Sequence, residues 1–283
     1  MERFWQKALL FFTAISLAAP VPSICQTFAD VTNPPVKSSI SGGNAFPQDP
    51  SQIASNSGSS AEKPHHGLIG RSIRRGLEDQ KEIYSAPFKV SNLKWDALVL
   101  ATTGGLIAAD HPIERNLPNS NYNSFNTLSN ASLGTLSGSL VVLWAYGIKT
   151  DNPHAKETGE LELETLVDTF LVYTPMQLLA GRQRPGEGTN SGNFWEHHSI
   201  NTSFPAGHPM FTMAMATVVA HEYPKPWVEA LAYGAAGAVT AGRLLGHDHW
   251  SSDIFIGNVL GYLIARHVFH AHCDPDLSEA CHK

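Results

Sequence analysis

The sequence predicts an all-α protein, a compact bundle of about six core helices. Three observations carry that expectation. From 85 to 272 the chain consists of uncharged apolar runs, each too long for a typical strand; the runs are rich in Ala, Leu and Met; and charged or Pro/Gly punctuation separates them. The runs cover 97–109, 131–148, 169–181, 209–220, 230–242 and 254–265.

Each run has its own boundaries. The first lies between Asp96 and Asp110, and the second, 131–148, is the one whose length approaches a membrane span. The third follows Asp168 and stops before Arg182, with Pro185 barring its continuation. Pro209 opens the fourth at a position suited to a first helical turn. Glu229 and Arg243 bracket the fifth, Asp253 and Arg266 the sixth. A transmembrane helix needs about 20 predominantly apolar residues, and a charge at membrane depth is costly. The bracketing charges therefore favour a bundle outside the membrane that keeps some contact with its surface, and a mean hydropathy of -0.13 agrees.

The flanks differ in character. Residues 1–25 combine a charged start, an apolar stretch over 8–19 and small residues near a cut, the pattern of a secretory signal peptide, with an uncleaved anchor helix as the alternative. Cys25 would suit lipoprotein processing, but bulky Ile24 precedes it. Residues 26–84 are rich in Ser, Gly, Asn, Pro and Gln and are expected to be a low-complexity, largely disordered linker. In the tail, 273–283, Cys273 and Cys281 are expected to pair as a disulfide in an oxidising compartment, the rival being a metal site with His270, His272 and His282.

Nineteen Lys and Arg against 25 Asp and Glu give a formal charge of -6 with no basic run, which argues against a nucleic acid partner. The chemistry concentrates in 181–185 (GRQRP), 203–208 (SFPAGH) and 243–253 (RLLGHDHWSSD). Arg184, at a helix end, offers a planar fork that matches two phosphate oxygens, while Arg182 reads as an ordinary surface arginine. Gly207 permits close backbone approach, and His208 lies near a helix N-terminus, where free N–H groups and the helix dipole favour an anion. His249 and Asp253 stand one turn apart if helical. The carboxylate could then hold one ring nitrogen and leave the other to attack, or it could cap the last helix after Ser251 and Ser252. His247 and Asp248 are expected at the rim.

These segments, in this order on a helical chain, resemble the type 2 phosphatidic acid phosphatase family, which shares a superfamily with class A acid phosphatases and vanadium haloperoxidases. The family pattern K-x6-RP, PSGH and SR-x5-H-x3-D falls on Gln177 with Arg184 and Pro185, on Pro205 to His208, and on Gly242 and Arg243 with His249 and Asp253. The resemblance implies an acid phosphatase/vanadium haloperoxidase-like bundle and a phosphatase acting on a phosphomonoester or a lipid-linked phosphate ester. His249 would be the nucleophile that forms a phosphohistidine, Asp253 its orienting carboxylate and His208 the acid and later the base. Arg184, Arg243, the Gly207 N–H and Gln177 would bind phosphate, with no cofactor or metal required. Gln177, Ala206 and Gly242 replace the family's lysine and two serines. A weakened anion-binding homologue is therefore the alternative, and a vanadium-dependent haloperoxidase a more distant one.

Overall fold

The computed structural model describes residues 68–197 and 199–282, within one compact unit, His66–Lys283. The expected signal peptide and most of the expected linker lie outside the described residues. Seven α-helices follow in order: α1 (Leu68–Ser85), α2 (Leu93–Asn116), α3 (Tyr122–Thr150), α4 (Pro153–Ala180), α5 (Gly207–Glu222), α6 (Pro226–Leu245) and α7 (Ser251–His272). Two short 3-10 turns, Ala86–Phe88 and Glu279–His282, complete the described secondary structure, which contains no strand.

All six expected runs fall in helices, the third ending one residue early at Ala180, and the helices reach beyond the runs into segments that the apolar pattern does not mark. The seventh helix is a correction, because α1 occupies the last part of the segment read as linker. Besides Ile83, which packs against the core, what fixes α1 is polar. Asp79 faces His267 at 3.2 Å and His272 at 2.7 Å on α7, Gln80 donates to Asp168 at 2.9 Å, and Arg75 pairs with Glu164 at 3.3 Å on α4. Tyr84 adds a hydrogen bond to the Leu171 carbonyl.

The core sits where α4, α5 and α7 meet, with Leu161, Val172, Met210, Ala214, Val218, Ile264, Val268 and Phe269 buried together. α5 is the central element, packing on α4, α6 and α7, and Ala216, Ala232 and Ala236 close its contact with α6. Apolar surface buried at about 25 cal/mol per Å² is the main driving force for such an assembly. Cys273 and Cys281 are disulfide-bonded, which resolves the tail in favour of pairing.

The outer surface is less water-like than the charge pattern suggests. Large apolar side chains stand exposed on α2 (Leu93, Trp95, Leu98, Leu100), α3 (Val141, Val142, Tyr146, Ile148) and α4 (Leu163, Phe170, Leu179). Two described helices, Tyr122–Thr150 and Ser251–His272, are long and apolar enough to cross a membrane. They differ in setting: 11% of the apolar window of α3 is buried inside the protein, against 44% for α7, which also serves the core.

Candidate active site

The site forms at the end of the bundle where α4 and α6 finish and α5 and α7 begin. Helix α4 stops at Gly181, whose φ of +51° turns the chain out of the helix. The next residues then diverge. Arg184 remains half-exposed and sends Nη2 to Asn201 Oδ1 at 2.8 Å and to the Thr202 carbonyl at 3.3 Å, with Nη1 at 3.5 Å from the Asp248 carbonyl.

Arg182 is not a surface residue, and this corrects the sequence reading. It is 2% exposed and spans two carboxylates, Asp253 at 2.6 Å and Asp110 at 2.8 Å. A further bond joins it to Ser252 Oγ, its Nε–H donates to the Gly192 carbonyl, and Phe194 and Trp250 flank the guanidinium. The pairing satisfies charges that could not otherwise be buried.

Helix α5 begins at Gly207 behind Ala206, an N-cap residue with no side-chain bond to offer. The first helical residue is therefore Gly207, two positions before Pro209. A Cβ at Gly207 would come within 3.0–3.1 Å of the Tyr173 ring, so the close approach read from the sequence is to that ring. His208 follows on the first turn. Burial first, then Arg243 and Arg184, outweigh the opposing pull of Asp248 and bring its pKa down to about 4.

Arg243, in the last turn of α6, bonds Asp248 Oδ2 at 2.5 Å through Nη1 and Asn130 Oδ1 through Nη2. Asn130 is on α3 and marks where the motif has been rebuilt. Gly242 stands in place of a serine because α3 crosses here: a Cβ would lie 2.7 Å from the Phe125 carbonyl and 2.8 Å from Ser129 Cβ. The helix that excludes the serine supplies an amide to the arginine instead.

His249 is 2% exposed, and its Nδ1 lies 2.8 Å from the Ser203 carbonyl. A carbonyl only accepts, so Nδ1 carries the proton and Nε2 keeps its lone pair. Burial and the nearby Arg184, with smaller effects from His208 and Arg243, hold the ring well below the ordinary imidazole pKa against the pull of that carbonyl. His249 is thus neutral with a bare nitrogen among cations.

Two expected contacts do not form. Asp253 does not reach His249: its Oδ2 accepts from Ser203 Oγ at 2.5 Å and from the Trp250 N–H at 3.0 Å, its Oδ1 from Arg182. It sits at the third position of α7 and caps that helix, the alternative the sequence left open. Nor is Gln177 free to bind phosphate. It is fully buried, donates to the Pro205 carbonyl at 2.7 Å and accepts from Thr202 N–H at 2.5 Å and Oγ1 at 2.6 Å. His247 turns away from the centre to Glu114 and the Pro118 carbonyl, whereas Asp248 lies between the two arginines rather than at the rim.

The structure thus gathers Arg184, Arg243, Gly207, His208 and His249 at one end of the bundle. It adds Asn130, Ser203 and Asp110, to which the sequence reading gave no part, and moves Arg182 and Asp248 inward from the surface and the rim. An apolar groove of about 350 Å³ begins at Gly207 and His208 and runs between α3, α4 and α5, lined by Leu133, Leu166, Tyr173, Phe211 and Met215.

Residues 163–274 match the PAP2 superfamily. The matched segment is 112 of the 283 residues. The lipid A 1-phosphatase of Porphyromonas gingivalis is 29% identical over 91 residues, 31% of this chain and 20% of its own length, so the match spans about a fifth of that curated relative. A transmembrane PAP2-type phosphatidylglycerolphosphate phosphatase from Bacillus subtilis aligns in structure at a TM-score of 0.44 and 18% identity, over 70% of this chain and 93% of that one. The PAP2 segment contains all three motif regions, while Asp110 and Asn130 lie before it in the chain.

Proposed function

We propose that this protein is a membrane-associated phosphatase that hydrolyses a lipid phosphate ester through a phosphohistidine. The observation that carries the reading is the state of His249, held as the Nδ1–H tautomer by the Ser203 carbonyl, with Nε2 unprotonated and the charges of Arg184 and Arg243 disfavouring the imidazolium. Nε2 attacks phosphorus, the bond to the leaving oxygen breaks, and His208 protonates that oxygen. Water, deprotonated by His208, then attacks the phosphohistidine and releases inorganic phosphate. Arg184, Arg243 and the α5 amides stabilise the charge that develops on the phosphoryl oxygens, without need of a metal.

The lipid part of the reading rests on the groove beside His208, apolar on three sides, and on the bare apolar face of α3. An acyl or isoprenyl chain fits such a lining, and the relative named for lipid A has the same kind of substrate. A second reading, an anion-binding homologue without turnover, is favoured by the occupied fork of Arg243 and the committed amide of Gln177.

The test uses full-length protein in detergent with phosphatidate, isoprenyl phosphates and small phosphomonoesters. Phosphate release is expected to favour the long-chain esters, with an acid-labile phosphoenzyme trapped in wild type and none in His249→Ala. Hydrolysis retained in His249→Ala would reject the mechanism. Phosphate or vanadate binding without turnover of any ester would select the second reading.

A further inference from the structure

Two carboxylates and one guanidinium lie buried behind His249, and none of them faces the groove. Asp110 on α2 accepts from Ser251 Oγ at 2.6 Å and Ser252 N–H at 3.0 Å through Oδ1, and from Ser252 Oγ at 2.5 Å and Arg182 at 2.8 Å through Oδ2. Arg182 carries the connection to Asp253, and Asp253 accepts the Ser203 hydroxyl. Ser203 is therefore held by its three polar groups. Its N–H donates to the Arg182 carbonyl at 2.8 Å, its hydroxyl donates to Asp253, and its carbonyl receives the His249 Nδ1–H.

We propose that Asp110, Arg182 and Ser203 are positioning residues which, with Asp253, fix the tautomer and ring plane of His249 through the Ser203 carbonyl, in place of a direct carboxylate–histidine contact. The physical need is specific. Attack through Nε2 requires the proton to stay on Nδ1, and a single carbonyl acceptor directs the ring only if the carbonyl is immobile. Arg182 immobilises it at both ends, by its main chain at the Ser203 N–H and by its side chain through Asp253 at the Ser203 hydroxyl. Asp110 in turn ties Arg182 to the first turn of α7, which directly follows His249. As the phosphoryl group arrives the ring gains positive charge, and a cluster with two carboxylates for one guanidinium lies behind it to stabilise that charge.

This inference rests on His249 being the nucleophile, so its test reads the ring as well as the reaction. Full-length wild type, Asp110→Asn and Ser203→Ala are compared in detergent, each first shown to be folded by its thermal transition. Ser203→Ala removes only the hydroxyl and keeps the carbonyl, so it tests the relay even if Asp110→Asn does not fold. The expected result is a fall in kcat of about ten- to a hundredfold in each variant, with KM and the affinity for inorganic phosphate within about twofold, as befits loss of alignment rather than of binding. Nitrogen NMR of labelled histidine is expected to show a fixed Nδ1–H tautomer in wild type and a mixture in the variants. Unchanged kcat and an unchanged His249 signal in a folded variant would overturn the proposal, as would a loss confined to KM and phosphate affinity. If wild type hydrolyses no ester yet the tautomer responds, the relay stands and the phosphatase reading falls. If wild type turns over and both folded variants match it, the reverse holds.

Discussion

Restoring the family's lysine at position 177 is the most informative single change, because sequence and structure predict opposite outcomes. The motif alone predicts that Gln177→Lys adds a missing phosphate contact and raises the rate. In the structure the amide oxygen of Gln177 is the acceptor for two buried donors, the N–H and Oγ1 of Thr202, and its NH₂ donates to the Pro205 carbonyl. A lysine can replace the bond to Pro205 but accepts nothing, so the Thr202 N–H loses its partner while the Thr202 hydroxyl keeps the main-chain carbonyl of residue 177 at 3.3 Å. An unsatisfied buried donor costs about 1–3 kcal/mol, before the added cost of burying the ammonium. Set against a typical total of about 5–15 kcal/mol, that is a sizeable share, and at about 2–4 °C per kcal/mol it lowers the melting midpoint by about 6 °C. Differential scanning fluorimetry of the detergent-solubilised protein, with phosphate release measured in parallel, gives the answer. A variant that melts within about 2 °C of wild type and turns over faster would refute the reasoning and return position 177 to the phosphate site.

Other outcomes follow from the same geometry. With the free His208 ring brought down to about 4, kcat/KM, which reports the free protein, is expected to rise as pH falls from 7 toward that value, while kcat holds to higher pH because a bound phosphate dianion raises the ring again; matching pH profiles for the two constants would contradict this. The linked stability has a definite sign. A histidine with a depressed folded pKa binds fewer protons folded than unfolded between about 4 and 6.5, so its contribution is present above 6.5 and lost as pH falls toward 4, which chemical denaturation at pH 7 and pH 4.5 would detect against a His208→Gln control. Asp248→Asn removes the carboxylate that occupies the Arg243 fork and is expected to tighten inorganic phosphate binding about tenfold by calorimetry; weaker binding would mean that Asp248 orders the arginine rather than competing with the anion.

Much of the fold and about half of the site were legible in the chain itself. The six apolar runs identified α2 to α7 because burial demands continuous apolar faces, and that demand is written locally. Helix α1 escaped because Asp79, Gln80 and Arg75 hold it against His267, His272, Asp168 and Glu164, partners far away in sequence. The same distance hid Arg182, whose partner Asp110 lies 72 residues earlier and looked like a mere helix boundary. His208, His249, Arg184 and Arg243 could be placed from motif spacing because their work is done where short segments converge. The role of Asp253 could not, since spacing allowed both a bond to His249 and a helix cap, and only the arrival of Ser203 and Arg182 decides between them.

The crossing of α3 over α6 couples Gly242 to Asn130 through one stretch of helix. A serine at 242 collides with the Phe125 carbonyl and Ser129 on α3, and Asn130 of the same helix accepts a bond from Arg243. Gly242→Ser alone would have to push α3 aside, and moving α3 would withdraw the Asn130 bond from Arg243. A hydroxyl placed at 242 to steady the arginine would thus dislodge the amide that already steadies it.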